Sequence, residues 1–177
     1  MKTFFSRYRF FLIVIVPFVL VLLFQKTHGA KAIHTLTFSL KEMLSVLPPI
    51  FILLGLMDVW VPRETMVRFM GEGSGARGVL LAFFLGSVAA GPLYAAFPVA
   101  VMLMRKGASF FNLLVFIGAW STTKIPMILF ELSSMGAVFA FTRLAMNIPV
   151  ILIIAAASAS LLKDEEKNAL YRAAETL

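Results

Sequence analysis

Residues 86–143 read GSVAAGPLYAAFPVAVMLMRKGASFFNLLVFIGAWSTTKIPMILFELSSMGAVFAFTR. An apolar run is interrupted by Gly91-Pro92 and again by Pro98. An Arg105-Lys106-Gly107 turn follows, and a second apolar run carries Trp120-Ser121-Thr122-Thr123-Lys124-Ile125-Pro126 in its middle. With their flanks the runs extend over about 79–104 and 110–132. Each is long enough to span a bilayer, because ~20 helical residues rising about 1.5 Å apiece cover a hydrocarbon core about 30 Å thick. A helix breaker at that depth is tolerated only where the freed backbone groups face protein, water or cargo. Two adjacent broken spans therefore point to an all-α membrane protein and mark where its chemistry is expected.

Working outward, three further apolar stretches of span length appear, at about 4–24, 36–61 and 136–162, followed by a charged tail at 163–177. The expectation is a single polytopic domain of about five transmembrane helices. The first stretch also fits a signal peptide, with Lys2, Arg7 and Arg9 as a basic leader and Ala30-Lys31-Ala32 as a cleavage-like site. Lys31 and the residues separating that site from the apolar core favour a retained helix. The second stretch opens amphipathically, with Leu36, Leu40, Met43, Leu44 and Leu47 on one face and Lys41 and Glu42 on another. Pro48-Pro49 is expected to break its hydrogen-bond ladder. Residues 62–78, PRETMVRFMGEGSGARG, read as a short amphipathic helix and a glycine-rich connector.

Composition agrees. Of 177 residues, 60% are hydrophobic and 14% charged, and the mean hydropathy is +0.94. A soluble domain carries about a quarter charged residues, so a soluble enzyme and a disordered chain are both excluded. The net charge of +7 sits in gaps between apolar runs, where anionic lipid headgroups meet it; nucleic acid is not an expected partner. Without cysteine there is no thiolate chemistry. His28 and His34 lack acidic company, so neither a metal site nor a cofactor is expected. No G-x-S-x-G, H-E-x-x-H or Walker A sequence is present, and an enzyme is not expected. GEGSGARG lacks the Gly-Lys-Ser/Thr ending and reads as a hinge.

The candidate solute pathway is built from the breaks: Gly91, Pro92, Tyr94 and Pro98 on one span, and Trp120, Ser121, Thr122, Thr123, Lys124 and Pro126 on the next. Discontinuous helices present half-helix termini and unwound carbonyls to cargo near the midplane. Ionisable groups within spans cost about 2.5–3.5 kcal/mol on insertion scales and face a bundle interior or cavity. Lys124, Glu131 and Arg143 are of this kind. Glu131 lies two helical turns beyond Lys124. Arg143 follows the Ser-Ser-Met-Gly turn at 133–136, so antiparallel helices bring Glu131 and Arg143 together as a structural or coupling ion pair, with Asn147 on the same face. Asp58 and Glu42 lie nearer the interfaces.

Five crossings put the termini on opposite sides, with six Lys and Arg on the N-terminal side and eight on the other. The positive-inside rule makes no choice between these. Either one stretch is not a true crossing, or the chain inserts both ways and pairs as an antiparallel homodimer in an inverted-repeat plan.

The segment 86–143, and less specifically 53–149, resembles the predicted permease family that includes the ArsP-like and YraQ-like proteins, in which a Gly/Pro-broken helix leads through a basic turn to a second polar-broken helix. The resemblance implies a multi-pass inner-membrane permease, half the size of longer members that look like two such halves, and singles out Gly91, Pro92, Pro98, Lys124, Pro126, Glu131 and Arg143. Arsenical-exporting relatives handle species for which thiols are natural ligands; this chain has none, and the resemblance assigns no substrate. The expected function is passage of a small polar or anionic solute through a homodimer in the lipid bilayer. The alternative is a non-transporting membrane subunit or scaffold.

Overall fold

A computed structural model describes residues 13–15, 18–19, 26–89 and 91–176. The first expected span, 4–24, lies almost wholly outside the described residues. The described chain is helical without strands, an all-α protein. It divides into two compact units, one ending at Pro48 and the other beginning at Pro49.

Helix α1, Lys26–Trp60, is assigned continuously over 35 residues. Its segment Gly29–Ile52 is long and apolar enough to cross a membrane. Pro48-Pro49, expected to break the ladder, leaves the helical assignment intact. A proline removes one hydrogen bond and bends a helix, but its fixed φ is itself helical. The boundary between the two units nevertheless falls between these prolines.

In the second unit, α2 (Arg63–Met70) and a glycine-rich loop lead to α3 (Gly75–Val88). A short 3₁₀ turn, Leu93–Ala95, runs into α4 (Ala96–Arg105). The run 79–104, read as one kinked span, is thus two helices joined by Gly91-Pro92. Both arms open at the same end of the unit. Close to α4, Lys106 Nζ donates to Val61 O at 2.7 Å and Ser109 N to Met70 O at 2.8 Å, so the exit of α4 sits beside the entrance to α3. At about 1.5 Å per residue the 14-residue α3 is about 21 Å long, shorter than a spanning helix.

α5 (Phe110–Thr122) follows, with Ser109 Oγ accepting from Asn112 N as an N-cap. It ends at Thr123, and α6 (Ile125–Ser134) continues after Lys124. Together Phe110–Ser134 are long and apolar enough to cross a membrane, as is α7 (Ala137–Leu161). Pro126 falls in the first turn of α6 and Pro98 in the first turn of α4. There the missing N–H has no helical partner to lose, so neither is a mid-helix kink. Pro149 lies inside α7.

Helix packing rests on small residues, as it does where lipid removes the hydrophobic drive between helices. Gly78, Ala82 and Gly86 recur every fourth residue on α3 and are buried. A Cβ at Gly86 would lie 2.5 Å from Phe116 O and 2.9 Å from Trp120 N, and one at Gly118 would lie 2.8 Å from an Ile151 methyl. Backbone atoms cannot rotate away, so bulk at Gly86 must push α3 off α5. Leu103, Leu113, Val115, Phe116, Ala119 and Trp120 fill the remaining core.

The tail forms α8 (Asp164–Glu175), with Asp164, Glu165 and Glu166 in its first turn, where the helix dipole favours them. The charged tail is not wholly free of the helices before it. Tyr171 OH donates to Ala108 O at 2.7 Å, docking α8 beside the exit of α4. Burial first, and the Glu72 charge second, push the Tyr171 phenol up to about 12.

Candidate functional site

Gly91 turns the chain between α3 and α4 with φ 117°, a backbone conformation that glycine adopts without penalty. Its carbonyl accepts from Trp120 Nε1 at 3.3 Å and from Lys124 Nζ. The tip of the hairpin is therefore tied to the break between α5 and α6. Trp120 is held in place by an edge-on contact with Phe116, 5.5 Å between ring centroids. Among the described residues, the hydrogen-bond partner of Lys124 is this carbonyl rather than a carboxylate.

At a helix C-terminus the last carbonyls lose their intrahelical donors. One turn earlier, Ala119 O keeps its bond from Thr123 N at 2.9 Å, and the hydroxyls add to that turn: Thr123 Oγ1 lies 3.0 Å from Ala119 O and 2.9 Å from Ser87 Oγ on α3, while Thr122 Oγ1 donates to Gly118 O at 2.9 Å. Arg143 Nη2, reaching over from α7, donates to Thr122 O at 2.9 Å. Lys124 and Arg143 thus bring two cations to the end of α5 where the dipole is negative. On the other side of the break, α6 starts without a side-chain cap, so its first N–H groups lack side-chain acceptors.

Arg143 also grips Glu131, Nε to Oε2 at 2.8 Å and Nη2 to Oε1 at 2.8 Å. This two-pronged geometry is the strong form of the interaction. Glu131 is 5% exposed. The hairpin turn at Gly136 (φ 88°) places the two residues, and the Met135 and Gly136 amides close that turn onto Glu131 O at 2.8 and 3.1 Å.

Of the residues singled out from sequence, seven take part in three hydrogen-bonded groups around the break: Gly91 O with Trp120 and Lys124, Thr122 O with Arg143 and Glu131, and Thr123 with Ala119 O and Ser87. Pro92 opens the 3₁₀ turn. Tyr94 is 41% exposed within that turn, Ser121 and Pro126 are exposed, Pro98 is half-buried in α4, and Asn147 is half-buried one turn beyond Arg143, outside the pair's hydrogen bonds. Ser87 was not singled out, although it pairs with Thr123 across 36 positions. Asn112 was not singled out either. It is 2% exposed, and its only sequence signal is one amide in FFNLL.

This arrangement offers one ammonium, backbone donors at an uncapped helix start and carbonyls at a broken helix end, all part-way along membrane-length helices. No curated protein and no solved structure matches the chain. A family model described as "predicted permease" (ArsP_1) matches residues 28–176, and with that match the chain belongs to the predicted permease family, a family of membrane proteins.

Proposed function

We propose that the protein is a multi-pass permease of the cell (inner) membrane that moves a small polar or anionic solute past the meeting point of Gly91 and Lys124. The observation that carries the reading is the bond from Lys124 to Gly91 O, which joins two helix breaks at a depth where unpaired backbone is otherwise excluded. The hairpin α3–α4 is re-entrant, dipping from one face and returning to it. The Lys124 ammonium and the open start of α6 favour a solute that accepts hydrogen bonds, which suits transport rather than catalysis.

With the hairpin returning, Arg63, Arg68, Arg77, Arg105, Lys106, Lys163, Lys167 and Arg172 fall at one end of the second unit, while the turn 133–136 at the other end has no Lys or Arg. By the positive-inside rule the basic end is cytoplasmic. The near-even tally that suggested antiparallel insertion disappears, and a parallel homodimer is the better reading. Leu93 and Tyr94 at the tip are 40% and 41% exposed, and because irregular backbone beside them requires protein or water rather than lipid, a partner copy is the cover we propose for them.

The test uses proteoliposomes on solid-supported membranes, with concentration jumps of phosphate, sulfate and acetate, and glycerol-driven swelling for a neutral solute. Wild type is expected to pass at least one of these probes. Lys124→Met is expected to abolish that flux while keeping its melting temperature, and Lys124→Arg to retain part of it. If no probe passes and Lys124→Met also lowers stability or disperses the dimer, the scaffold reading replaces the permease.

A further inference from the structure

Helix α2 lies between the end of α1 and the start of α3, and its two ends carry the bonds that hold the base of the α3–α4 hairpin. Val61 O, just before it, accepts from Lys106 Nζ at 2.7 Å. Met70 O, its last carbonyl, accepts from Ser109 N at 2.8 Å and from Asn112 Nδ2 at 2.9 Å. Whatever holds α2 therefore also holds the exit of α4 and the start of α5. Met66 and Met70, four positions apart and so on one face, are buried. At about 100° per residue, Arg68 stands opposite them and Phe69 on the flank.

The outer side of this region mixes large apolar groups with cations. Trp60, the last residue of α1, is 72% exposed and Phe69 42%. Arg63, Glu64 and Arg68 are exposed on α2, and the Arg68 guanidinium lies 5.6 Å from the centroid of the Phe69 ring, a cation–π distance. A third arginine joins them. A Cβ at Gly107 would lie 2.7 Å from a Val67 methyl and 3.8 Å from Arg63 Nε, so the Arg105-Lys106-Gly107 turn abuts α2, with Arg105 exposed. Water alone is a poor setting for the two rings, and hydrocarbon alone is a costly one for the arginines. A membrane interface suits both, because Trp settles at headgroup level and amphipathic helices lie in that plane. Arg63, Arg68 and Arg105 outnumber Glu64, so the charge complements anionic headgroups.

We propose that α2, flanked by Trp60 and Arg105, docks on the anionic lipid surface, and that the base of the hairpin is anchored to the bilayer through it. Trp60 and Phe69 enter the boundary between headgroups and acyl chains. The three guanidinium groups meet lipid phosphates, to which arginine presents paired donors. Inward, Val61 O and Met70 O pass the position of α2 to Lys106 and Ser109. An acidic soluble protein would satisfy the arginines but would leave the rings without acyl chains.

Full-length protein is reconstituted in vesicles of phosphatidylcholine and phosphatidylglycerol, with bromine on the upper acyl chain of one lipid or the other at equal mole fraction. The chain has two tryptophans, so the fluorescence lost in Trp60→Phe, a change at an exposed position, is that of Trp60. Brominated phosphatidylglycerol is expected to quench Trp60 as strongly as about five times as much brominated phosphatidylcholine, the preference that one arginine near an anionic surface supplies. Arg63→Gln with Arg68→Gln, both at exposed positions, is expected to abolish that preference while leaving Trp60 quenched by both lipids. Hydrogen exchange of residues 105–112 is expected to slow about fivefold when phosphatidylglycerol is added to phosphatidylcholine vesicles, and to stay unchanged in the double variant. Trp60 quenched by neither lipid overturns the docking, since protein or water then covers this face. Equal quenching by the two lipids in wild type, or a preference that survives in the double variant, overturns the role of the arginines. Exchange indifferent to phosphatidylglycerol in wild type overturns the anchoring of the base. No solute flux is measured, so the outcome is separate from that of the transport reading.

Discussion

Replacing Glu131 by Leu leaves the Arg143 guanidinium with one partner, Thr122 O at 2.9 Å, among apolar helices. Replacing Arg143 by Met leaves a carboxylate whose side chain is 7% exposed and removes the donor to Thr122 O. Breaking a buried pair from one side costs about 3–5 kcal/mol, because the remaining charge stays buried without compensation. Each single variant should lose about that much. In the double variant Glu131→Leu with Arg143→Met both charges are gone and apolar groups of similar volume replace them. The main residual loss is the orphaned Thr122 carbonyl, about 1–3 kcal/mol. The double variant should therefore be more stable than either single one, with a coupling energy of at least ~3 kcal/mol, at or above the upper end of measured values. Unfolding in mixed micelles, followed by the fluorescence of buried Trp120, gives the three free energies. If the losses add to within about 0.5 kcal/mol, as they do for independent sites, the pair does not tie α6 to α7 and the reasoning fails.

The chain has no cysteine, so single cysteines report topology directly. A re-entrant hairpin requires Glu72→Cys and Arg105→Cys to react with an impermeant maleimide from the same side of the membrane and Met135→Cys from the other, whereas opposite-side labelling of the first two would make 79–104 a crossing. Ser87 and Thr123 have hydroxyl oxygens 2.9 Å apart, and the pair Ser87→Cys with Thr123→Cys should form a disulfide that stops flux until reductant is added; undiminished flux in the oxidised protein would mean that the tip does not move. The Tyr171 phenol is neutral in the fold up to about pH 12, against about 10 in an unfolded chain. The folded state therefore binds more protons between pH 10 and 12, stability is lost as pH rises through that window, and protease protection of α8 should fall there in wild type but not in Tyr171→Phe.

What the sequence made legible follows from the solvent. Lipid tolerates few polar side chains, so the span-length runs and their breaks stand out by composition alone. Glu131 and Arg143 could be paired in advance because only a short turn, Met135-Gly136 in the structure, separates two antiparallel helices, which leaves their meeting little freedom. The path of 79–104 was not legible. A Gly-Pro kink and a Gly-Pro reversal have the same local composition, and the choice between them lies in contacts distant in sequence, such as Lys106 with Val61 O and Gly86 with Phe116 O. Ser87 and Asn112 were invisible for a related reason. Each is one small polar group in an apolar run, and its importance comes from a partner 36 to 42 positions away.

On the transport reading proposed above, the same geometry assigns which part of the site moves. The tie between Lys124 and Gly91 is a hydrogen bond from a charged group to a neutral carbonyl, worth about 1.5–3 kcal/mol, and a polar solute arriving at the break can replace it on both sides. The Glu131–Arg143 pair costs more to separate and has no such substitute, so α6 and α7 should travel as one piece. At the other end of the hairpin, Ser109 N to Met70 O and Lys106 Nζ to Val61 O hold the base by bonds that no solute in the pathway reaches. The tip can therefore be released while the base stays closed, and the small residues Gly78, Ala82 and Gly86 leave a smooth face on which α3 can shift against α5. On this reading Lys124 occupies the tip carbonyl until the solute takes its place.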